Sequence, residues 1–320
     1  MNLLITGFAG PLGQAIAERL MHENPFRRVF GIDRDVPRLL GPVHFVQADL
    51  RTVDLADLLV CDMVDVVLHL EYADGVAARG ARDEPAVTRR LLEATALAET
   101  RRLVVVSRDW VYAPGEGLRG EDDPLRAVEA QRSPPLAAKL RTERMWGQIW
   151  KEQPSRELVC MRLPAILGPD RGRPIDAVLD LPWLLGPAEA GRSVQFVHVH
   201  DAADALLVAA AHPELRGAFN VAGPEPIDFE VVAGILEKRL VRLPPWLMRT
   251  ALAALLRAHG LPTRYADPGW FHETAAMSCA RFARATGFRP RYSTRQALAV
   301  WRTRHCPRVD WSVRLGRTSP

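Results

Sequence analysis

The first residues read Leu3-Leu4-Ile5-Thr6-Gly7-Phe8-Ala9-Gly10-Pro11-Leu12-Gly13. The apolar run at 3–6 predicts a buried strand, and an amphipathic helix is expected to begin near Gly13. Gly7 permits a tight turn after the strand, Gly10 lets the backbone approach a pyrophosphate, and Gly13 lets helix and strand pack closely. A strand, a glycine-rich turn and a helix in this order indicate a dinucleotide-binding Rossmann unit.

The turn itself is the predicted phosphate cradle. The N-terminus of a helix offers free N–H groups and the positive end of its dipole to an anion. Pro11 lies near the first helical position, where proline is tolerated, although it removes one N–H that could serve a phosphate oxygen. The predicted cofactor contacts along this turn are Gly7, Phe8, Ala9, Gly10, Pro11, Leu12 and Gly13.

A carboxylate ends the second predicted strand, twenty residues beyond Gly13. Asp33 at this position can accept hydrogen bonds from both ribose hydroxyls and would repel a 2′-phosphate, which favours NAD over NADP. The adjacent Arg34 could instead accommodate a 2′-phosphate or stack on adenine. Asp49 and Leu50 close the third strand, where contacts with adenine are expected.

Short apolar runs alternate with amphipathic helical stretches, which is typical of parallel βαβ units. The sequence therefore predicts an α/β fold, a Rossmann-type doubly wound parallel sheet of about seven strands. The predicted strands are 3–6, 28–32, 44–46, 64–69, 103–107, 158–162 and 218–221. The predicted helices are 13–23, 84–100, 135–151 and 201–212.

Proline and glycine become frequent after residue 163, which indicates a second, smaller lobe of mixed structure. We predict a dinucleotide-binding domain of 1–163 plus 198–222 and a substrate-binding lobe of 164–197 plus 223–320. The apolar stretch 243–261 is expected to be buried in this lobe, although it could line a pocket or rest on a membrane surface.

Composition excludes several other classes of protein. The 320 residues carry 42 basic and 38 acidic side chains, and because the two signs are interspersed we predict no nucleic-acid partner. The four cysteines show neither metal-ligand spacing nor a disulfide framework. No apolar run is long enough to span a bilayer, and no leader precedes the first strand, so we predict a cytoplasmic protein.

Two histidines are candidate metal ligands. His198 and His200 are expected to share one face of a strand, with Asp201 and Asp204 nearby. A His-x-His pair without a third ligand is more often structural, so we predict no metal site.

Further segments carry the motifs of a known family. They are His69-Leu70-Glu71, Val104–Ser107 leading to Val111-Tyr112, Glu121–Pro124, Arg162-Leu163-Pro164, Gly168-Pro169, Phe196–Asp201 and Phe219–Val221. Together with Thr6-Gly7-x-x-Gly10-x-x-Gly13, they resemble the extended short-chain dehydrogenase/reductase family, the group of NAD-dependent epimerases and dehydratases. The resemblance implies a homodimer formed through helices 84–100 and 135–151, and further cofactor contacts at Leu70, Glu71, Ser107, Lys139 and Pro164.

The catalytic positions implied by the resemblance are mostly replaced. The family places a tyrosine four residues before a lysine on one helix face, and the lysine lowers the pKa of the phenol. Lys139 matches the lysine, but Pro135 stands at the tyrosine position. Arg108 stands at the usual hydroxyl position, with Ser107 one residue early, and Glu84 stands where an asparagine is usual.

Several roles remain open for these residues. Lys139, Arg108 and Ser107 are the catalytic candidates, but Lys139 could also bind the nicotinamide ribose alone. Arg108 could be a surface residue or a clamp for a carboxylate or phosphate. Tyr72 and Tyr112 follow strand ends and are conceivable replacement acids.

Two functions fit this sequence. The first is an atypical NAD-dependent epimerase, dehydratase or reductase acting on a sugar nucleotide or a hydrophobic secondary alcohol. The second is a non-catalytic sensor of NAD(H) or a scaffold protein. The charged groups at 71 and 108 favour the first hypothesis, and the missing tyrosine and hydroxyl favour the second.

Overall fold

Strands and helices alternate in the computed structural model, which describes residues 1–70, 84–115, 117–127, 134–153, 157–169, 174–189, 192–261 and 276–305. The strands are β1 (Asn2–Thr6), β2 (Arg28–Asp33), β3 (Val43–Gln47), β4 (Val66–His69), β5 (Arg102–Arg108), β6 (Glu157–Leu163), β7 (Ala165–Leu167), β8 (Trp183–Pro187), β9 (Ser193–Val194), β10 (Phe196–His198), β11 (Gly217–Asn220), β12 (Ile227–Asp228) and β13 (Arg239–Leu243). The helices are α1 (Pro11–His22), α2 (Leu55–Cys61), α3 (Glu84–Leu97), α4 (Pro134–Glu152), α5 (Pro174–Leu179), α6 (Val199–Ala211), α7 (Phe229–Leu236), α8 (Pro245–Ala258), α9 (Ala280–Thr286) and α10 (Thr294–His305), with a 3-10 turn at Asp109–Val111.

The central sheet has seven parallel strands in the order β11-β6-β5-β4-β1-β2-β3. Each of the seven predicted strands is present, which confirms the predicted Rossmann-type α/β fold. The direction in which strands are added reverses between β1 and β4. From β1 the chain continues outward to β2 and β3, and from β4 it continues outward on the other side to β5, β6 and β11. Ligands of such folds bind in the crevice at the carboxyl ends of the strands beside this point.

Helices cover both faces of the sheet, because successive side chains of a strand point to opposite sides. Leu3 and Ile5 of β1 pack with apolar residues of α1 and α6 on one face. Leu4, between them, packs with residues of α2, α3 and α4 on the other face. The strands are therefore apolar throughout their length, as strands covered on both faces must be.

A second apolar core lies among the elements after β6. Here β7 pairs with β10 and β8 with β13, both parallel, while β9 and β12 pair antiparallel. The predicted burial of 243–261 holds for one face of α8 only, because Met248, Leu252 and Leu256 lie within this core while Trp246 is 78% exposed. The division into two domains at the predicted boundaries stays a prediction.

The predicted placement of the two histidines is wrong. Strand β10 ends at His198 and helix α6 begins at Val199, so His200 belongs to a helix. Instead, His198 accepts a hydrogen bond from the His200 backbone N–H at 3.3 Å and stacks on Tyr292 with ring centroids 4.1 Å apart. Among the described residues, no cluster of histidine, cysteine or acidic side chains could hold a metal ion.

Within the described ranges, no helix is both long enough and apolar enough to cross a bilayer.

Candidate functional site

The glycine-rich turn joins β1 to α1 at the switch point of the sheet. Gly7 has φ = +73°, a left-handed conformation that favours glycine. An added Cβ at Gly13 would lie 2.7 Å from the Cα and carbonyl carbon of Phe8, so a side chain there would push α1 away from the turn. Gly10 caps α1 without a side-chain hydrogen bond, and Pro11 is the first helical residue. This cradle fits the diphosphate of a dinucleotide.

The side chains of the turn divide into two groups. Phe8 and Leu12 are fully buried in the core, so only their backbone atoms could face a cofactor. Ala9, Gly10 and Pro11 are partly exposed. The Phe8 ring also lies over β2, where an added Cβ at Gly31 would come within 2.7 Å of it.

Asp33 ends β2 beside this turn. Its Oδ2 accepts a hydrogen bond from the Ala9 backbone N–H at 3.0 Å, and its Oδ1 accepts one from the Asp35 N–H at 3.1 Å. A carboxylate has about four lone-pair sites, so it retains the capacity to accept from ribose hydroxyls. The structure thus brings Asp33 to the phosphate cradle. Arg34 is exposed, and its carbonyl accepts a hydrogen bond from Gln47.

The predicted adenine contacts lie just beyond β3. Leu50 is buried, while the Asp49 carboxylate forms an ion pair of 2.6 Å with Arg51. The hydrogen bonds from Arg51 hold the pKa of Asp49 at about 2. An adenine amino group would therefore share this carboxylate with Arg51.

Lys139 is buried in an ion pair with Glu84. The two residues come from α4 and α3, and their side chains are 3% and 4% exposed. Burial raises the pKa of Glu84, and the positive charge of Lys139 opposes this rise. The only predicted catalytic lysine therefore already has a carboxylate partner, at the position where the family resemblance places an asparagine.

A second buried ion pair lies one helical turn along α4. The Arg162 guanidinium donates from Nε and Nη2 to the two oxygens of Glu143, at 3.0 and 2.8 Å. Its Nη1 donates to the Tyr112 hydroxyl at 2.9 Å, and that hydroxyl donates to Asn220 Oδ1 at 2.7 Å. Burial raises the pKa of Tyr112 to about 12. A phenol held in this way is a poor proton donor near neutral pH.

His69 ends β4 and lies close to these charges. Its Nδ1 is 2.7 Å from the Thr6 hydroxyl, and the ring is buried. Burial, assisted by the positive charge of Lys139, lowers the pKa of His69 to about 3. The ring is therefore neutral at physiological pH. Leu70 follows it and is buried, and Pro164 is buried directly after β6.

The end of β5 carries the remaining candidates. Ser107 is fully buried and lies opposite Arg162 in the β5–β6 register. Arg108 is only 6% exposed, which contradicts the alternative of a surface residue. Glu71 and Tyr72, which the sequence also singled out, lie outside the described residues.

Asp109 is a candidate that the sequence analysis missed. Its side chain is fully buried; Oδ1 accepts a hydrogen bond from the Trp110 N–H at 3.0 Å, and Oδ2 has no hydrogen-bond partner in the described part of the chain. Burial raises the pKa of this carboxyl to about 7, although the nearby Arg108 lowers it. A carboxyl that titrates near neutrality at a strand end suits acid–base chemistry. The only signal in the sequence is an acidic residue directly after a buried strand.

The fold and the cradle define a dinucleotide-binding protein of the Rossmann class. Residues 3–222 match the NAD-dependent epimerase/dehydratase family, and the chain belongs to this family. The predicted family is thereby confirmed, and its dependence on NAD agrees with the predicted cofactor.

Individual proteins show the same likeness. An uncharacterized UDP-glucose epimerase of Bacillus subtilis is 27% identical over 266 residues, 74% of this chain and 81% of the relative. The UDP-glucuronic acid 4-epimerase of Bacillus cereus, solved with UDP-glucuronic acid and NAD, has a TM-score of 0.71 at 19% identity and covers 95% of this chain and 99% of its own. The dTDP-glucose 4,6-dehydratase of Bacillus anthracis, solved with NAD, has a TM-score of 0.70 at 17% identity. The match covers 97% of this chain and 98% of the dehydratase chain.

Proposed function

We propose that this protein is an NAD(H)-dependent oxidoreductase or epimerase that moves its proton through Asp109 instead of a tyrosine. The substrate is a secondary alcohol, and the structural relatives solved with UDP-sugars favour a sugar nucleotide over a more hydrophobic alcohol. The observation that carries the proposal is the buried Asp109 carboxyl with one unpartnered oxygen at the end of β5.

The neighbouring titratable groups support this choice because each is committed elsewhere. The Tyr112 hydroxyl is held between Arg162 and Asn220, and Lys139 is paired with Glu84. His69 stays neutral and bonded to Thr6. Asp109 alone among these combines an unpartnered oxygen with a pKa near 7, so it can both accept and donate a proton at physiological pH.

The proposed roles of the other residues concern the cofactor. When bound, NAD would supply the acceptor for the hydride that leaves the alcohol carbon. Asp33 orients the adenine ribose and the glycine-rich turn binds the diphosphate. Lys139 stays with Glu84 or turns to the nicotinamide ribose. Arg108 holds an anionic group of the substrate.

Cofactor choice is the first test. A calorimetric titration of the full chain is expected to show NADH binding more tightly than NADPH. Asp33→Ala removes the acceptor of the ribose hydroxyls and should weaken NADH binding by about 10- to 100-fold, without weakening NADPH binding to the same degree. Asp35→Ala is the matched control, because Asp35 is exposed nearby. Equal affinity of the wild-type protein for both cofactors would contradict the role of Asp33.

Turnover is the second test. UDP-glucose, UDP-glucuronic acid and simple secondary alcohols are offered with NAD, and both absorbance at the NADH band and product epimers are measured. Asp109→Asn should lower kcat by about 10²–10⁴-fold while leaving NADH affinity unchanged, because it removes only the proton-transfer group. An Asp109→Asn variant as active as the wild type would refute the assignment.

The raised pKa of Asp109 also predicts a pH dependence of stability. Between the pKa of an unfolded aspartate, 3.8, and about 7, the folded carboxyl keeps a proton that the unfolded one has lost. The wild type therefore loses stability as pH rises through this window, and Asp109→Asn lacks this loss. From about pH 5 to about pH 8, the wild type should lose roughly 2–3 kcal/mol relative to the variant in urea unfolding. Parallel pH curves for the two proteins would show that Asp109 titrates normally.

One observation favours a second candidate function, a non-catalytic sensor of NAD(H). Lys139, the lysine that tyrosine chemistry would require, is paired with the Glu84 carboxylate. This candidate predicts the same binding preference for NADH and the same effect of Asp33→Ala, with no turnover of any alcohol and no effect of Asp109→Asn other than on stability.

A further inference from the structure

A cleft of about 450 Å³ lies between α1, α6 and the segment 288–291. Arg19 is the lining residue of α1 that is nearest to the glycine-rich turn, about 12 Å along the helix from its start at 1.5 Å per residue. The cleft is thus separate from the proposed dinucleotide site. Its volume is within the range of sites that bind small molecules.

Two acidic side chains that line the cleft are already engaged. Asp204 bridges two arginines, with Oδ1 2.5 Å from Arg19 Nε and Oδ2 3.0 Å from Arg291 Nη2. Asp201 accepts hydrogen bonds from the backbone N–H groups of Arg291 and Tyr292, both at 3.0 Å. These carboxylates therefore fix the arginines and the segment in place.

Most of the polar atoms of the lining that have no hydrogen-bond partner among the described residues are N–H donors. Arg19 uses its Nε, and its terminal Nη groups bond to nothing within the described residues; the same is true of the whole Arg289 guanidinium. Glu23 is the one lining acid whose carboxylate has no partner in that part of the chain. An arginine presents five N–H donors in a fixed fork that matches a carboxylate or phosphate.

The rest of the lining is apolar. Leu207, Val208 and Ala211 of α6 line the cleft together with Phe288. Phe288 is half-buried and packs against the Phe282 ring in a tilted arrangement, with ring centroids 5.5 Å apart. We propose that the cleft binds a small amphipathic anion, with a carboxylate or phosphate at the arginines and an apolar body against Phe288.

Matched probes test the proposal on the full chain by calorimetry or ligand-observed NMR. 3-Phenylpropanoate should bind with a dissociation constant in roughly the millimolar range or below. 3-Phenylpropan-1-ol, which lacks the charge, and inorganic phosphate, which lacks the apolar body, should each bind at least about 10-fold more weakly. Tighter binding of zwitterionic phenylalanine than of 3-phenylpropanoate would overturn the assignment to an anion.

Variants locate the binding. Arg289→Gln should weaken the binding of 3-phenylpropanoate by about 10-fold, and Ala211→Phe, which places a large ring in the apolar lining, should abolish it. Arg284→Gln is the matched control, because Arg284 is exposed on α9 and does not line the cleft. The Arg289 side chain has no described partner, so its loss leaves the fold intact. Unchanged affinity in both test variants, or displacement of the probe by NADH, would refute the site.

Discussion

Arg162→Met is expected to lower the free energy of unfolding by about 3–5 kcal/mol. The substitution leaves the Glu143 carboxylate, which is 1% exposed, without its bidentate partner. It also removes the donor to the Tyr112 hydroxyl and the Glu121 carbonyl. A buried unpaired charge costs more than the pair itself contributes, so urea unfolding near neutral pH should show the loss directly.

Two controls separate this effect from ordinary loss of an arginine. Arg101→Met removes an exposed partner of Glu157 and should cost at most about 1 kcal/mol. Replacing Glu143 together with Arg162 by methionines should recover much of the loss, because no charge is then left buried. If Arg162→Met costs no more than Arg101→Met, the buried pair does not exist as described.

Gly13→Ala is expected to impair both stability and cofactor binding. Its Cβ would meet backbone atoms of Phe8, which cannot rotate away, so α1 must shift relative to β1. We expect a loss of about 1–3 kcal/mol in the free energy of unfolding. NADH affinity should fall by at least about 10-fold, because the N–H groups at the start of α1 move with the helix.

Gly147→Ala provides the matched control for this glycine. Gly147 lies inside α4, an added Cβ there meets no atom within 4 Å, and alanine favours a helix over glycine. This variant should be as stable as the wild type or slightly more stable, with unchanged NADH affinity. A Gly13→Ala protein that behaves like Gly147→Ala would mean that α1 does not pack tightly on the turn.

The parts of the fold that the sequence predicts are those fixed by local patterns. The glycines at 7, 10 and 13 act within one turn, and Asp33 follows at a set distance, so the sequence alone predicts the place of both. The short helix α2 (Leu55–Cys61) was not predicted, because seven residues give too little periodicity. His198 and His200 were misplaced because an apolar run leading into a helix looks the same as a longer strand.

The chemistry of the candidate site depends on packing between distant segments. Glu84 and Lys139 are 55 residues apart, and only the packing of α3 on α4 brings them together. The burial of Arg108 and the raised pKa of Asp109 likewise follow from what covers the end of β5. Residue types and spacing carry no information on burial at single polar positions.

The Glu84–Lys139 ion pair limits what a tyrosine introduced at position 135 could do. Pro135 lies in the first turn of α4, one turn before Lys139, so a tyrosine there would share a helix face with the lysine. Yet Glu84 would still neutralise the charge that activates the phenol. A tyrosine introduced at 135 alone is therefore expected to stay unactivated, and an exchange at 84 alone leaves a buried ammonium without its carboxylate. The effects of the two exchanges are expected to be non-additive, because each removes only one of the two obstacles.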